Sequence, residues 1–216
     1  MSDVLVIGVH GKVGMLAAPL LVEAGHTVTG VIRDADQASE VEATGASTTV
    51  ADVAELDTDA LVELIGSHDV VVWSAGSGGG SAELTYAVDR DAAIRTVDAA
   101  ARAGARFVMV SYFGAGPGHG VDPDSDFYAY AESKTEADQH IAGTDTGWTI
   151  LRPSSLTEEE GSGVQLGTDR VEASQVARKT VARMITAVVG DPASSARKTI
   201  AFNDGDTSVD EALTQA

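Results

Sequence analysis

Tyr130-Ala131-Glu132-Ser133-Lys134 is the most specific chemical pattern in this chain. With four tyrosines and four lysines in 216 residues, a chance Tyr-x-x-x-Lys is expected only about 0.07 times. On a helix, the i, i+4 spacing puts phenol and ammonium on one face. The cation would stabilise a phenolate and lower the Tyr130 pKa from its reference of about 10, so that the phenol can exchange a proton with a carbonyl or alcohol oxygen. Ser111, ending an apolar run, could donate a hydrogen bond to the same oxygen. The plain alternative is an amphipathic helix on which the tyrosine packs and the lysine is solvated. Tyr112 and Tyr128 are rivals at the same edge, although Tyr128 lies two residues from Tyr130 and so on another helix face.

A second constellation stands near the start of the chain. Val4-Leu5-Val6-Ile7 runs into Gly8, Gly11 and Gly14, and a helical pattern follows. A continuous apolar run reads as a strand buried on both faces. Glycines directly after it let the backbone turn tightly and approach a ligand. The next helix would aim its free N–H groups and positive dipole end at an anion, which outlines a dinucleotide pyrophosphate site. Val9, His10, Lys12 and Val13 would contribute backbone contacts, and Lys12 a charge. The alternative is a turn with Gly14 serving helix–sheet packing. A nucleoside-triphosphate phosphate loop is excluded, because Val13 stands where Ser or Thr is required.

Other candidates fall where further strands end. Arg33 sits where a ribose 2′-hydroxyl or 2′-phosphate is met, which favours NADP over NAD unless the arginine simply pairs with Asp34 or Asp36. Asp52 could accept from an adenine amino group with Val53 donating from its backbone, or could cap its own turn. Ser74-Ala75-Gly76 permits close approach to a ribose, whose hydroxyls Lys134 could also hold. Arg152-Pro153 could line the nicotinamide side. The five histidines show no metal-ligand spacing, so no metal is expected. His119 and Glu158-Glu159-Glu160 read as solvated loop residues.

These residues need a scaffold of alternating strands and helices. Strands are expected over 4–7, 27–33, 47–51, 69–74, 106–111, 148–152 and 198–202. Helices are expected over about 12–24, 35–43, 59–65 (capped by Asp57 or Thr58), 84–103, 127–142 and 174–189. Residues 114–126 read as a mobile loop and 153–171 as irregular. Repeated strand–helix units predict an α/β fold, a Rossmann-like doubly wound parallel sheet with helices on both faces. One domain over 1–216 is expected, with a small substrate-side region around 153–172. In such sheets ligands bind at the C-terminal strand ends, where every motif above falls.

On Gly8/Gly11/Gly14, Arg33, Asp52, Ser74-Ala75-Gly76, Ser111, Tyr130/Lys134 and Leu151-Arg152-Pro153 with Leu156-Thr157-Glu158, the chain resembles the atypical short-chain dehydrogenase/reductases. It is most similar to the small NAD(P)H-binding proteins of the biliverdin-reductase-B-like and nitrogen-regulator-like groups. The resemblance spans nearly the whole chain. It implies an NADP cofactor at the strand ends and Ser111, Tyr130 and Lys134 as the catalytic set. With no large substrate domain, a compact acceptor such as a quinone, flavin or aldehyde is expected. Two other readings stay open: a catalytically silent redox sensor, and an epimerase or dehydratase that uses the cofactor transiently.

Composition narrows the classes further. No stretch approaches the roughly 18 apolar residues of a membrane span, and no secretory leader is evident. Zero cysteines exclude disulfides and thiolate chemistry, so a cytoplasmic soluble protein acting on a small molecule is expected. A net charge of −19 argues against nucleic-acid partners. The acidity reads either as an ordinary soluble surface or as adaptation to high salt, where the Debye length shrinks to roughly 3 Å at 1 M. Under the second reading the melting temperature climbs steeply with added salt; a flat melting profile rules it out.

Overall fold

Four consecutive apolar residues can be buried together only where both faces of a strand are covered. In the computed structural model, which describes residues 1–167 and 171–216, β1 (Asp3–Ile7) meets that condition. Val4 and Val6 enter one core, while Leu5 and Ile7 enter another on the opposite face. β1 pairs in parallel with β2 (Thr27–Ile32) on one side and β4 (Val70–Trp73) on the other. β3 (Ser47–Val50) lies outside β2, and β5 (Arg106–Val110) and β6 (Trp148–Pro153) follow outside β4. β10 (Lys198–Gly205) is parallel to β6, and β8 (Gly163–Leu166) closes that edge antiparallel to β10.

The resulting order is β3-β2-β1-β4-β5-β6-β10-β8. The chain winds outward from β1 in both directions, so the loops after β1 and β4 part at a crevice. α1 (Gly14–Glu23), α2 (Ala38–Glu42), α7 (Arg178–Gly190) and α9 (Val209–Gln215) cover the Val4/Val6 face. α3 (Thr58–Ile65), α5 (Ala93–Ala103) and α6 (Tyr128–Gly143) cover the Leu5/Ile7 face. The expected doubly wound sheet is therefore present, with one antiparallel edge strand. Asp57, not Thr58, caps α3 by accepting from the Ala60 N–H.

Several elements depart from the local pattern. The helix expected over 84–103 is α4 (Ala82–Thr85), a π-helical stretch Tyr86–Ala92 and then α5. The segment expected to be irregular holds two strands, β7 (Ser155–Thr157) and β8; its residues 168–170 lie outside the described residues. The helix expected from Ser174 starts later, because Gln175–Ala177 forms β9, parallel to β7. The reason lies on β10. Asp204 accepts from the Ala177 N–H at 2.8 Å and from the Thr180 hydroxyl at 2.6 Å, so it ties the end of β9 and the first turn of α7 to β10. α8 (Pro192–Ser195), α9 and the extension of β10 past Phe202 also went unread in the local pattern. Asp204→Ala is expected to lose about 1–2 kcal/mol in urea denaturation with an unchanged slope. An unchanged midpoint would remove Asp204 from this role.

Candidate active site

The loop after β1 lies directly on the end of β4. Gly8 has φ +83°, and a Cβ there would stand 2.6 Å from the Ala75 backbone. At Gly14 a Cβ would stand 2.5 Å from the Val9 carbonyl oxygen, so packing demands both glycines. Gly11 is different. It is exposed, and a Cβ there would have only the Gly8 carbonyl at 3.1 Å and the Ser74 carbonyl at 4.0 Å nearby. Val9 is buried against the space Gly30 leaves in β2, and Val13 is buried too, so backbone is what both can offer a ligand. α1 starts with no side-chain cap and no acid in its first turn. Among the described residues, no protein acceptor meets the N–H of Lys12 or Val13. In so acidic a chain, this uncapped helix start is an open seat for an anion.

The surrounding side chains are placed as follows. His10 Nε2 lies 2.9 Å from Glu40 Oε2 on α2. Lys12 donates to Glu158 at 2.8 Å, and Arg178 donates to the same oxygen at 3.0 Å. Glu158, expected as a plain solvated loop residue, therefore ties the glycine loop to the start of α7. Arg33 is exposed and makes no ion pair among the described residues. Asp34 instead caps the next turn, accepting from the Asp36 N–H at 3.0 Å. Asp52 accepts from the Ala54 N–H at 3.0 Å, which is the turn-capping geometry, and Val53 is buried. The Ser74 N–H extends the central ladder to the Ile7 carbonyl at 2.9 Å, and Gly76 stays exposed beside it.

Across the crevice, α6 brings Tyr130 and Lys134 onto one face, with Lys134 Nζ 5.7 Å from the centre of the Tyr130 ring. Among the described residues the Tyr130 hydroxyl has no hydrogen-bond partner, and its ring leans on Tyr112 and Phe127 at 5.5 and 5.2 Å. Tyr128 points elsewhere, towards His119. The Lys134 side chain is only 2% exposed and pairs with Asp89, itself 1% exposed, at 3.1 Å; it also donates to the Val110 carbonyl at 3.3 Å. Ser111 is buried and donates to Asp138 at 2.9 Å, and Arg152 Nε donates to the same carboxylate oxygen at 2.9 Å. Pro153, buried at the end of β6, accepts from the Phe113 N–H.

These surroundings correct the expected acidification of Tyr130. Burial raises its phenol above the ordinary value and outweighs Lys134, while Asp89 and Asp138 push the same way as burial. Burial pulls the Lys134 ammonium down, but Tyr130, Asp89 and Asp138 together hold it above its usual value. Burial likewise lifts the Asp138 carboxyl, against the opposing pull of Arg152, Ser111 and Lys134.

Comparison with known proteins decides what this crevice belongs to. Residues 8–192 match the NAD(P)H-binding family. The chain belongs to that family. It is 34% identical to a UPF0659 protein of Schizosaccharomyces pombe over 206 residues, which is 86% of this chain and 83% of the relative. A candidate NAD-dependent epimerase/dehydratase from Bacillus halodurans superposes with a TM-score of 0.89 at 30% identity, covering 100% of both chains. An oxidoreductase from Lactococcus lactis superposes with a TM-score of 0.86 at 26% identity, over 99% of this chain and 95% of the other. The expected likeness to NAD(P)H-binding proteins is thereby met. The residues present also suit the family's cofactor, because Gly11 presents exposed backbone beside the start of α1, which is left uncapped.

Two site residues escaped the sequence reading. Asp138 follows Lys134 by four residues, a spacing that places it on the same face. Asp89 sits between Val88 and the apolar Ala92-Ala93 pair, an acid on an otherwise inward face. A carboxyl whose folded pKa lies above its unfolded value loses stability as pH rises through that interval. Arg152→Met would raise the Asp138 carboxyl further. The variant is therefore expected to lose about 2 kcal/mol or more at pH 7, and much less towards about pH 3, where Asp138 is protonated in both states. Urea denaturation at the two pH values checks this; equal losses would count against a charged Asp138.

Proposed function

We propose that the protein is an NADPH-preferring reductase of a small carbonyl, quinone or flavin acceptor, with Ser111, Tyr130 and Lys134 at its reacting centre. The observation that carries the reading is Tyr130. Its hydroxyl is unpartnered among the described residues, and Lys134 and Asp89 link it to the loop that follows β4. In this reading Gly11 and the backbone of Gly8, Val9, His10, Lys12 and Val13 meet the pyrophosphate, while Gly14 lets the start of α1 pack against the turn. Arg33 meets the 2′-phosphate, Asp52 and Val53 the adenine, Ser74-Ala75-Gly76 the ribose, and Pro153 the nicotinamide side. Residues around 153–172 form the substrate side.

Bound NAD(P)H supplies a hydride to the acceptor. Tyr130 gives its proton to the acceptor oxygen and regains one from water. Ser111 has its single proton committed to Asp138, so it faces the acceptor with a lone pair unless that bond turns. The Bacillus halodurans neighbour supports a second reading, an epimerase or dehydratase in which a bound nicotinamide would take a hydride and give it back while the same side chains exchange the proton.

The test follows NADPH and NADH consumption against quinones, flavins and small aldehydes. Turnover that prefers NADPH is expected, falling about 100-fold or more in Tyr130→Phe. Turnover that survives the substitution removes Tyr130 from the chemistry. No turnover, with NADPH still quenching tryptophan fluorescence, favours a redox sensor.

A further inference from the structure

Lys134 is placed to acidify Tyr130, yet its charge is already answered. Asp89 lies in the π-helical stretch Tyr86–Ala92, and helices with this extra residue per turn are frequent at functional sites. One of its carboxylate oxygens stands 3.1 Å from Lys134 Nζ, and the other accepts from the Ser77 N–H at 2.9 Å. Both side chains of the pair are almost fully excluded from water, so little solvent weakens the cancellation. The other charged group acting on Tyr130 is Asp138, whose own charge is answered by Arg152. Tyr112 and Phe127 supply the remaining aromatic wall.

We propose that Asp89 is a positioning residue that holds Lys134 beside Tyr130 and cancels its charge there, so that the lysine does little to ease loss of the phenol proton. The proposal rests on the reductase reading for its chemical meaning. In that chemistry the acceptor gains a hydride from the reduced nicotinamide, two electrons and one proton, and a second proton from the Tyr130 O–H bond. The nicotinamide is oxidised by two electrons, and Tyr130, briefly a phenolate beside Lys134, recovers its proton from water.

The test uses the cofactor-free protein, following phenolate absorbance as pH is raised. Subtracting the Tyr130→Phe titration from the wild-type one isolates Tyr130. In wild type Tyr130 is expected to ionise above its reference of about 10, and in Asp89→Asn lower than wild type by about one pH unit or more. Asp89→Glu, which keeps the charge, is expected to restore the higher value. The alkaline limit of reductase turnover is expected to move down with the phenol in Asp89→Asn. Ionisation of wild-type Tyr130 below about 10, or no difference between wild type and Asp89→Asn, would overturn the proposal. If Asp89→Asn does not fold, the paired variant Asp89→Asn/Lys134→Met decides: Tyr130 ionising at the wild-type pH is expected, and a clear rise would overturn the proposal. A titration as expected from a protein with no reductase turnover would sink the reductase reading and leave the Asp89 electrostatics standing.

Discussion

An ammonium removed from water costs several kcal/mol unless a counter-charge and acceptors go with it, and the arrangement at this end of the sheet answers that demand from Lys134. The lysine needs an acid on its inner side, and Asp89 supplies it from the π-helical stretch. It needs a further acceptor, which the Val110 carbonyl provides at the end of β5. Asp89 has a second oxygen, and that oxygen holds the Ser77 N–H and so fixes the path of the loop after β4. That path brings Gly76 so near that a Cβ would stand 3.0 Å from the carboxylate. One buried charge thus connects α6, the long helix before β5, two strand ends and the loop on which the glycine turn rests.

The same helix face carries a second answer to burial. Asp138 lies one turn beyond Lys134 and is held by Ser111 and Arg152. Along α6, phenol, ammonium and carboxylate stand at i, i+4 and i+8. The two charged groups are settled by partners from other elements, Lys134 by Asp89 and the Val110 carbonyl and Asp138 by Ser111 and Arg152. The consequence for chemistry is directional. The Ser111 proton points at Asp138, whereas the Tyr130 proton has no protein acceptor among the described residues, so Tyr130 holds the freer donor of the two.

Charge is distributed unevenly over the chain. The net charge of −19 is general, yet Lys12, Arg33, Arg152 and Arg178 all stand near strand ends around the crevice. Three of the four are answered by carboxylates, and Arg33 is left without an ion pair among the described residues. Glu158 occupies two of these cations on the outer side of the glycine loop, binding that loop to the start of α7.

Much of this was legible without coordinates. The run Val4–Ile7, the alternation of strands and helices, the glycines after β1 and the Tyr130–Lys134 spacing are local properties. Burial on both faces, helical period and tight turning are set by residues near one another in the chain, so the sheet, the edge that carries the candidate site and the face shared by phenol and ammonium could be read from local pattern. Only the tertiary structure decided which charges meet there. Asp89 and Lys134 are 45 residues apart, and Asp204 holds the first turn of α7 from 24 residues beyond Thr180. No periodicity registers such pairs, because their energy comes from a shared dry environment that exists only once the strands have assembled. The Tyr130 pKa therefore went the other way from the local expectation: the cation was visible in the pattern, while its counter-ion and the burial of both were not.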